Sequence, residues 1–394
     1  MKVAVVYDRV NKWGGAERVL LALHELFPEA PLYTSVYNSK TAPWAKVFPK
    51  VIFSFLQKFP FATRHELYVM LMPLAFEKFS AKGGFDEFDL VISVTSEAAK
   101  GIITKEGTFH LCYCLTPTRY LWSGYEEYFK NSLLRFLAKP AVFYLRRWDK
   151  IAAKRPDAYV AISKEVQKRI KKYYKRESTV IYPPLALLGA EVVLAGPAAR
   201  QPHAFPTALT SAGPPRGAPR LASPAMDSPR HSYFLIVSRL VPYKRIDIAV
   251  EAFNELGLPL KIIGIGSQEA KLKRMAKRNI EFLGNLTDIE LVSYYKNCRA
   301  LIFPGIEDFG LTIIEAQSFG KPVIAFASGG AREIIVEGKT GEFFFPQTKA
   351  ALVKKLKGFR DDKYKGEDCL NQANKFNKKI FKERILKFIK SKIK

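Results

Sequence analysis

The chain has 394 residues, enough for two ordinary domains with separate cores, and its 48% hydrophobic and 25% charged residues are those of a globular protein. The net charge of +26 predicts attraction to something anionic: nucleic acid, a phosphorylated ligand or an anionic membrane surface. The most apolar region, Ser132 to Leu145, is broken by Arg135 and Lys139-Pro140, so no stretch reaches the roughly 18 uninterrupted apolar residues that span a bilayer.

The opening Met-Lys-Val-Ala-Val-Val-Tyr-Asp is too short and too soon polar for a signal peptide and reads as a first buried strand. Further short β-rich runs follow at Leu90–Val94, His110–Cys114, Ala158–Ile162 and Thr179–Tyr182, with helical patterns between them such as Ala16–Leu26 and Lys164–Tyr174. Nearly continuous Val/Ile/Leu runs that end in polar turns are the pattern of buried parallel strands. Cys112 and Cys114 lie inside one such run, while Cys298 and Cys369 stand alone. No zinc spacing results, and buried thiols in a reducing cytoplasm are expected. Asp86 to Asp89 reads as a polar turn rather than a metal-binding pair.

Lys50 to Phe79 mixes Phe, Leu, Met and Tyr with Lys50, Lys58, Arg64 and Lys78. A helical core face with a basic exterior and an acceptor-side surface for a lipid-linked molecule account for it equally well. Residues 1–184 are taken as the first domain. The stretch 185–232 holds eight prolines, eleven alanines and no lysine, and is expected to be a disordered insertion or linker.

The strand–helix rhythm resumes at Tyr233–Ser238, Leu260–Ile265, Ile280–Leu283, Ala300–Phe303 and Pro322–Ala325, with helical patterns at Arg245–Leu256 and Asp288–Asn297. Two such runs predict two doubly wound parallel α/β domains, the second over 233–373. The last segment, 374–394, reads as a basic amphipathic helix that packs on the body, with docking on anionic lipid as the sharper alternative.

Chemistry concentrates in the second half. Ala300-Leu301-Ile302-Phe303-Pro304 ends a strand and Ile313 begins a helical pattern; between them stands Gly305-Ile306-Glu307-Asp308-Phe309-Gly310. A glycine loop feeding a helix start offers backbone N–H groups and a positive dipole end to a phosphate. Glu315, on the helix, has two oxygens suited to vicinal ribose hydroxyls. Upstream, Ser238-Arg239-Leu240-Val241-Pro242-Tyr243-Lys244-Arg245 places Arg239 and Lys244 just after a buried strand, where paired cations suit a diphosphate. Ile263-Gly264-Ile265-Gly266 lacks the third glycine of a dinucleotide fingerprint, with Glu269 at that position.

Glu307-x7-Glu315 in this setting resembles the E-x7-E motif of the family 4 retaining glycosyltransferases, which have the GT-B fold. Arg239 to Lys244 is similar to the family's diphosphate-clamping segment. Asn11-Lys12-Trp13-Gly14-Gly15-Ala16-Glu17-Arg18 looks like its glycine-rich loop, and Ala327 to Glu333 like a tight turn before a helix. The segment His110 to Trp122 is similar to one in bacterial mannosyltransferases of surface-polysaccharide assembly, where a histidine is expected before the Thr-Pro; this chain has Leu115 there. His110 is expected to be structural.

The resemblance implies two Rossmann-like domains facing across a cleft. It implies a donor site of Gly14, Gly15, Arg239, Lys244, Glu307, Phe309, Gly310, Leu311 and Glu315, with Glu307, Arg239 and Lys244 carrying catalysis. The implied substrate is a nucleotide diphosphate sugar, GDP-mannose first and a UDP-sugar second, with no cofactor or metal required. The acceptor would be lipid-linked or a saccharide. The place would be the cytoplasm, with the inner face of an anionic membrane as a peripheral site. A sugar-nucleotide-binding protein impaired by Leu115 is the alternative, and a basic nucleic-acid-binding protein a more distant one. Nucleic-acid binding is not expected, because the cations are spread along the chain with no reading module.

Overall fold

Strands β1 (Val3–Tyr7), β2 (Leu32–Thr34), β3 (Val51–Phe53), β4 (Leu90–Thr95), β5 (Phe109–Cys114), β6 (Ala158–Ala161) and β7 (Thr179–Val180) form one sheet in the order β3-β2-β1-β4-β5-β6-β7. Every pairing is parallel. The computed structural model describes residues 1–63, 65–81, 83–129, 131–185 and 233–393. Of the insertion expected over 185–232, all but Leu185 lies outside the described residues.

The second sheet joins β8 (Tyr233–Val237), β9 (Leu260–Ile263), β10 (Ile280–Phe282), β11 (Cys298–Phe303), β12 (Val323–Phe326) and β13 (Gly341–Phe344) in the order β10-β9-β8-β11-β12-β13, again all parallel. Two doubly wound parallel α/β sheets are therefore present, as the strand–helix rhythm predicts. The strands of both are apolar along nearly their whole length because helices cover both faces. In the first, Ala4, Val6 and Val91 pack with Phe76, Phe85 and Phe88. In the second, Phe234, Ile236 and Ile302 pack with Phe253 and Leu260.

The described residues divide into two compact units, 1–185 with 375–393, and 233–374. The amphipathic C-terminal segment is a helix over Lys378–Lys392, preceded by a separate helix Gly366–Asn374. Asn377 caps it by accepting from the Ile380 amide at 2.8 Å. Phe381, Ile385 and Ile389 are buried, and Phe381 meets the edge of Tyr113 in β5. Lys378 and Lys382 both pair with Glu25. The helix thus completes the first unit with its apolar face already covered. Among the described residues, no helix is long and apolar enough to cross a membrane.

Candidate functional site

The second sheet changes winding direction between β8 and β11: β8 to β10 run one way from that point, and β11 to β13 the other. The loops leaving the carboxyl ends of two such adjacent strands diverge, and the crevice they leave is where open α/β sheets bind ligands. Arg239 and Lys244 lie on the loop after β8; Glu307, Phe309 and Gly310 lie on the loop after β11. The structure sets the two loops on neighbouring strands and joins them through Lys244 and Glu307, while Arg239 contacts Tyr243 of its own loop.

Lys244 ends the short turn Pro242–Lys244, and Arg245, at a left-handed φ of 51°, swings the chain into the helix Ile246–Leu256. The Lys244 side chain is 9% exposed and its ammonium pairs with the Glu307 carboxylate. That ion pair ties the β8 loop to the β11 loop directly. Gly305 makes the approach feasible, since a Cβ there would lie 2.8 Å from the Lys244 backbone. Arg239 donates to the Tyr243 hydroxyl, a neutral acceptor, and its guanidinium lies 6.0 Å from the centre of that ring.

Gly310 has φ 109° and caps the helix Leu311–Ser318 without a side chain. A left-handed cap of that kind favours glycine, and its carbonyl accepts from the Ile313 amide at 3.0 Å. Leu311 is the first helical residue, and Phe309 is buried at 4% exposure beneath the loop. Glu315 is buried and accepts from the Tyr295 hydroxyl at 2.7 Å; the Tyr295 ring stacks on Phe319 at 5.5 Å. Gly329 and Gly330 support the β11 loop from the side. The Gly330 amide donates to the Glu307 carbonyl at 2.9 Å, and a Cβ on Gly330 would lie 2.1 Å from the Phe309 carbonyl oxygen. Their role is close packing as well as turning. Gly264 plays the same part under the β8 loop, where a Cβ would sit 1.9 Å from the Ser238 carbonyl.

Tyr295 and Tyr243 are the site residues that sequence reasoning missed. Both act by holding a charged group through a hydroxyl, and a lone tyrosine in a helix or turn carries no spacing signal. Among the described residues, no group of three or more His, Cys, Asp or Glu could hold a metal ion.

Gly14 and Gly15 lie in the other unit. Gly14 caps the helix Gly15–His24 in extended backbone, φ 175°, and Glu17 in the first turn is buried and accepts from the Tyr7 hydroxyl at 2.7 Å. Burial raises the Glu17 carboxyl above its usual range against the pull of that hydrogen bond. His110 is buried inside the first sheet, its Nε2 2.8 Å from the Ser93 hydroxyl. Burial, with Arg155 and Arg176 nearby, lowers its pKa to about 3, so it stays neutral. Leu115 follows β5, its amide donating to the Thr95 carbonyl at 2.8 Å. Beyond it, Thr118 and Trp122 donate to Asp149 at 3.2 and 2.7 Å; Asp149 in turn pairs with Lys100 at 2.6 Å, and both ions are 1% exposed.

The geometry of the second unit has a counterpart in known sequences: residues 227–380 match the model of the glycosyl transferases group 1 family. Residues 227–380 are a group 1 glycosyltransferase domain. The whole of the described switch point falls inside it. The chain is 33% identical over 116 residues to the uncharacterized glycosyltransferase MJ1178 of Methanocaldococcus jannaschii, covering 28% of this chain and 33% of that protein. It is 28% identical over 160 residues to O-antigen chain mannosyltransferase C of Escherichia coli, covering 39% of this chain and 42% of that one. The chain therefore spans a third to about two fifths of the length of these relatives. The crystal structure of Anabaena Alr3699/HepE in complex with UDP aligns over 99% of this chain and 100% of its own, with a TM-score of 0.68 at 18% identity. At that identity the likeness concerns the fold, which is GT-B.

Proposed function

We propose that this protein is a retaining glycosyltransferase that moves a hexose from a nucleotide diphosphate sugar to a lipid-linked or saccharide acceptor. The observation that carries the reading is the ion pair of Lys244 with Glu307, which joins the loop bearing Arg239 to the Glu307-to-Glu315 segment at the β8/β11 switch point of a group 1 domain. Arg239 and Lys244 would hold the diphosphate, the amides after Gly310 would add partial positive charge, and Glu315 would hold the ribose. Glu307, freed from Lys244 as the phosphates arrive, would orient the sugar. Gly14 and Gly15 would contribute from the first unit.

In the reaction the bond between the anomeric carbon and the β-phosphate oxygen breaks and its electron pair leaves with the diphosphate. Fixed cations stabilise that growing charge without reorganising. The acceptor oxygen bonds to the same face of the anomeric carbon, and its proton passes to the departing phosphate oxygen. Mannose is the favoured sugar, supported by the O-antigen mannosyltransferase relative, with GDP-mannose as donor. A UDP-sugar is the next candidate, supported by the UDP in the Anabaena complex.

A thermal-shift screen of GDP-, UDP- and ADP-sugars tests the reading, because a ligand that binds only the folded state raises the melting temperature. GDP-mannose is expected to give the largest rise, and silence from every sugar nucleotide would sink the proposal. Leu115 motivates a second reading, donor binding with weakened transfer. A Leu115→His variant that outpaces the native chain in transfer would support it, and brisk native turnover would end it.

A further inference from the structure

The region that stands out in the sequence as most apolar is the start of a 21-residue helix, Ser132–Ala152. One face of it is committed to the first unit. Val142 and Leu145 pack with Leu121, and Asp149 is buried against Lys100. Trp148 donates to Glu77 at 2.8 Å, and Arg146 donates to the Leu121 carbonyl at 2.7 Å. Positions 142, 145, 149 and 152 recur at helical spacing, so this is one continuous stripe.

The opposite face carries Leu133, Phe136, Leu137, Phe143, Tyr144 and Ile151, with exposures from 46% to 70%. Isolated exposed apolar residues are ordinary; six on one helix face form a patch that calls for a partner. Arg135, Lys139, Arg146 and Lys150 run along one border of the patch, and Arg147 falls within it. Asp149 is the helix's one acid, and it is buried and neutralised by Lys100, so the outward charge is wholly positive. Lys139 already folds over the Phe136 ring at 5.3 Å, as a cation does when its stem follows apolar surface.

The geometry points to helix Ser132–Ala152 lying in the plane of an anionic lipid bilayer, its leucines and aromatic rings in the acyl boundary and its cations at the headgroup phosphates. A second copy of the chain fits less well, since like-charged rows would be brought together on one apolar seam. The helix is about 30 Å long, and a face of this kind seats to roughly 5–10 Å depth, so it lies flat rather than spanning. The basic C-terminal helix cannot compete for the role, because Phe381, Ile385 and Ile389 are spent on the first unit. The inference is independent of sugar transfer and would stand for any chemistry in the second unit.

Co-sedimentation of the full chain with vesicles tests it, using phosphatidylcholine alone and phosphatidylcholine with phosphatidylglycerol, at low and high salt. The native chain should partition at least about tenfold better onto the anionic vesicles and lose that advantage in salt. Phe136→Ser with Phe143→Ser should weaken partitioning by about tenfold or more. Arg135→Gln, Lys139→Gln and Lys150→Gln together should cost on the order of a hundredfold on anionic vesicles. Phe136, Phe143, Lys139 and Lys150 are exposed and Arg135 is half-buried, donating to the Phe129 carbonyl at 2.9 Å; unchanged melting curves would show that the variants fold. Native binding by the phenylalanine variant overturns the proposal. So does loss of binding confined to a Lys387→Gln, Lys390→Gln control on the C-terminal helix. A native dimer that the phenylalanine pair converts to monomer, with no vesicle binding by either, would assign the face to a second copy instead.

Discussion

The two sheets share a topology and treat their switch points in opposite ways. In the first, β1 and β4 diverge, and the residue after β1 is Asp8, 1% exposed. Its carboxylate accepts from the Thr95 hydroxyl at 2.8 Å and from the amides of Ser96, Glu97, Ala98 and Ala99 at 2.7 to 3.0 Å. Arg9 closes over it by pairing with Glu97 at 2.6 Å. In the second, the residues after β8 are Ser238 and Arg239, and cations face the corresponding crevice. A parallel sheet creates amide-rich, electropositive ground at its carboxyl edge wherever the winding reverses. The first sheet fills that ground with a buried anion held by backbone amides, and the second sets two cations there, one of them paired with Glu307. One crevice is a structural joint, and the other is the phosphate site proposed above.

Four experiments press on this contrast. Asp8→Ala should have the largest effect, about 3–5 kcal/mol of stability in the first unit, because several buried amides lose their acceptor at once. Urea unfolding measures it, and the response of the second unit to sugar nucleotides should persist. Lys244→Ala should lower the transfer rate by about 10²–10³-fold, the scale of removing one preorganised donor to developing charge, read from initial rates. A native rate in that variant would remove Lys244 from the chemistry. Tyr295→Phe takes the hydroxyl from a buried carboxylate and should cost about 1.5–3 kcal/mol by denaturation, with weaker nucleotide-sugar binding by calorimetry.

The smallest effect at neutral pH, one that grows only with acid, concerns His110. Its folded pKa is about 3, against about 6.5 for an ordinary histidine, so below pH 6.5 the unfolded chain takes up a proton that the folded chain refuses. Stability should therefore fall as pH drops from 6.5 toward 3, by up to about 1.4 kcal/mol per unit. Comparing unfolding of the native chain with His110→Asn across that range checks the slope. An unchanged slope in the variant would show that the proton is taken up elsewhere.

The long buried strands were legible in sequence because their Val/Ile/Leu runs are unbroken, as in Val3–Tyr7 and Leu90–Thr95. The strands Leu32–Thr34, Val51–Phe53 and Gly341–Phe344 were not, since a period over three or four residues is weak and these lie outside the strand–helix rhythm that marked the equally short Ile280–Phe282. Arg239, Lys244, Glu307 and Glu315 could be proposed because charge just after a buried strand, or at a glycine-led helix start, is a local signal. Their bracing could not. Tyr295 reaches Glu315 across 20 residues, and Asp8 meets Ala99 across 91, contacts that exist only once the sheets close. The face of the helix Ser132–Ala152 was likewise hidden, because an apolar stripe does not declare whether protein will cover it.

The return of the helix Lys378–Lys392 to the first unit bears on how the chain is made. Leu185 and Phe376 share a backbone hydrogen bond, so the first unit is assembled from segments on either side of the second. During synthesis, Tyr113 and Glu25 leave the ribosome long before Phe381 and Lys382 arrive to meet them. The second unit can complete its sheet in one continuous passage; the first must wait with part of its surface bare. The unit that is translated first is finished last.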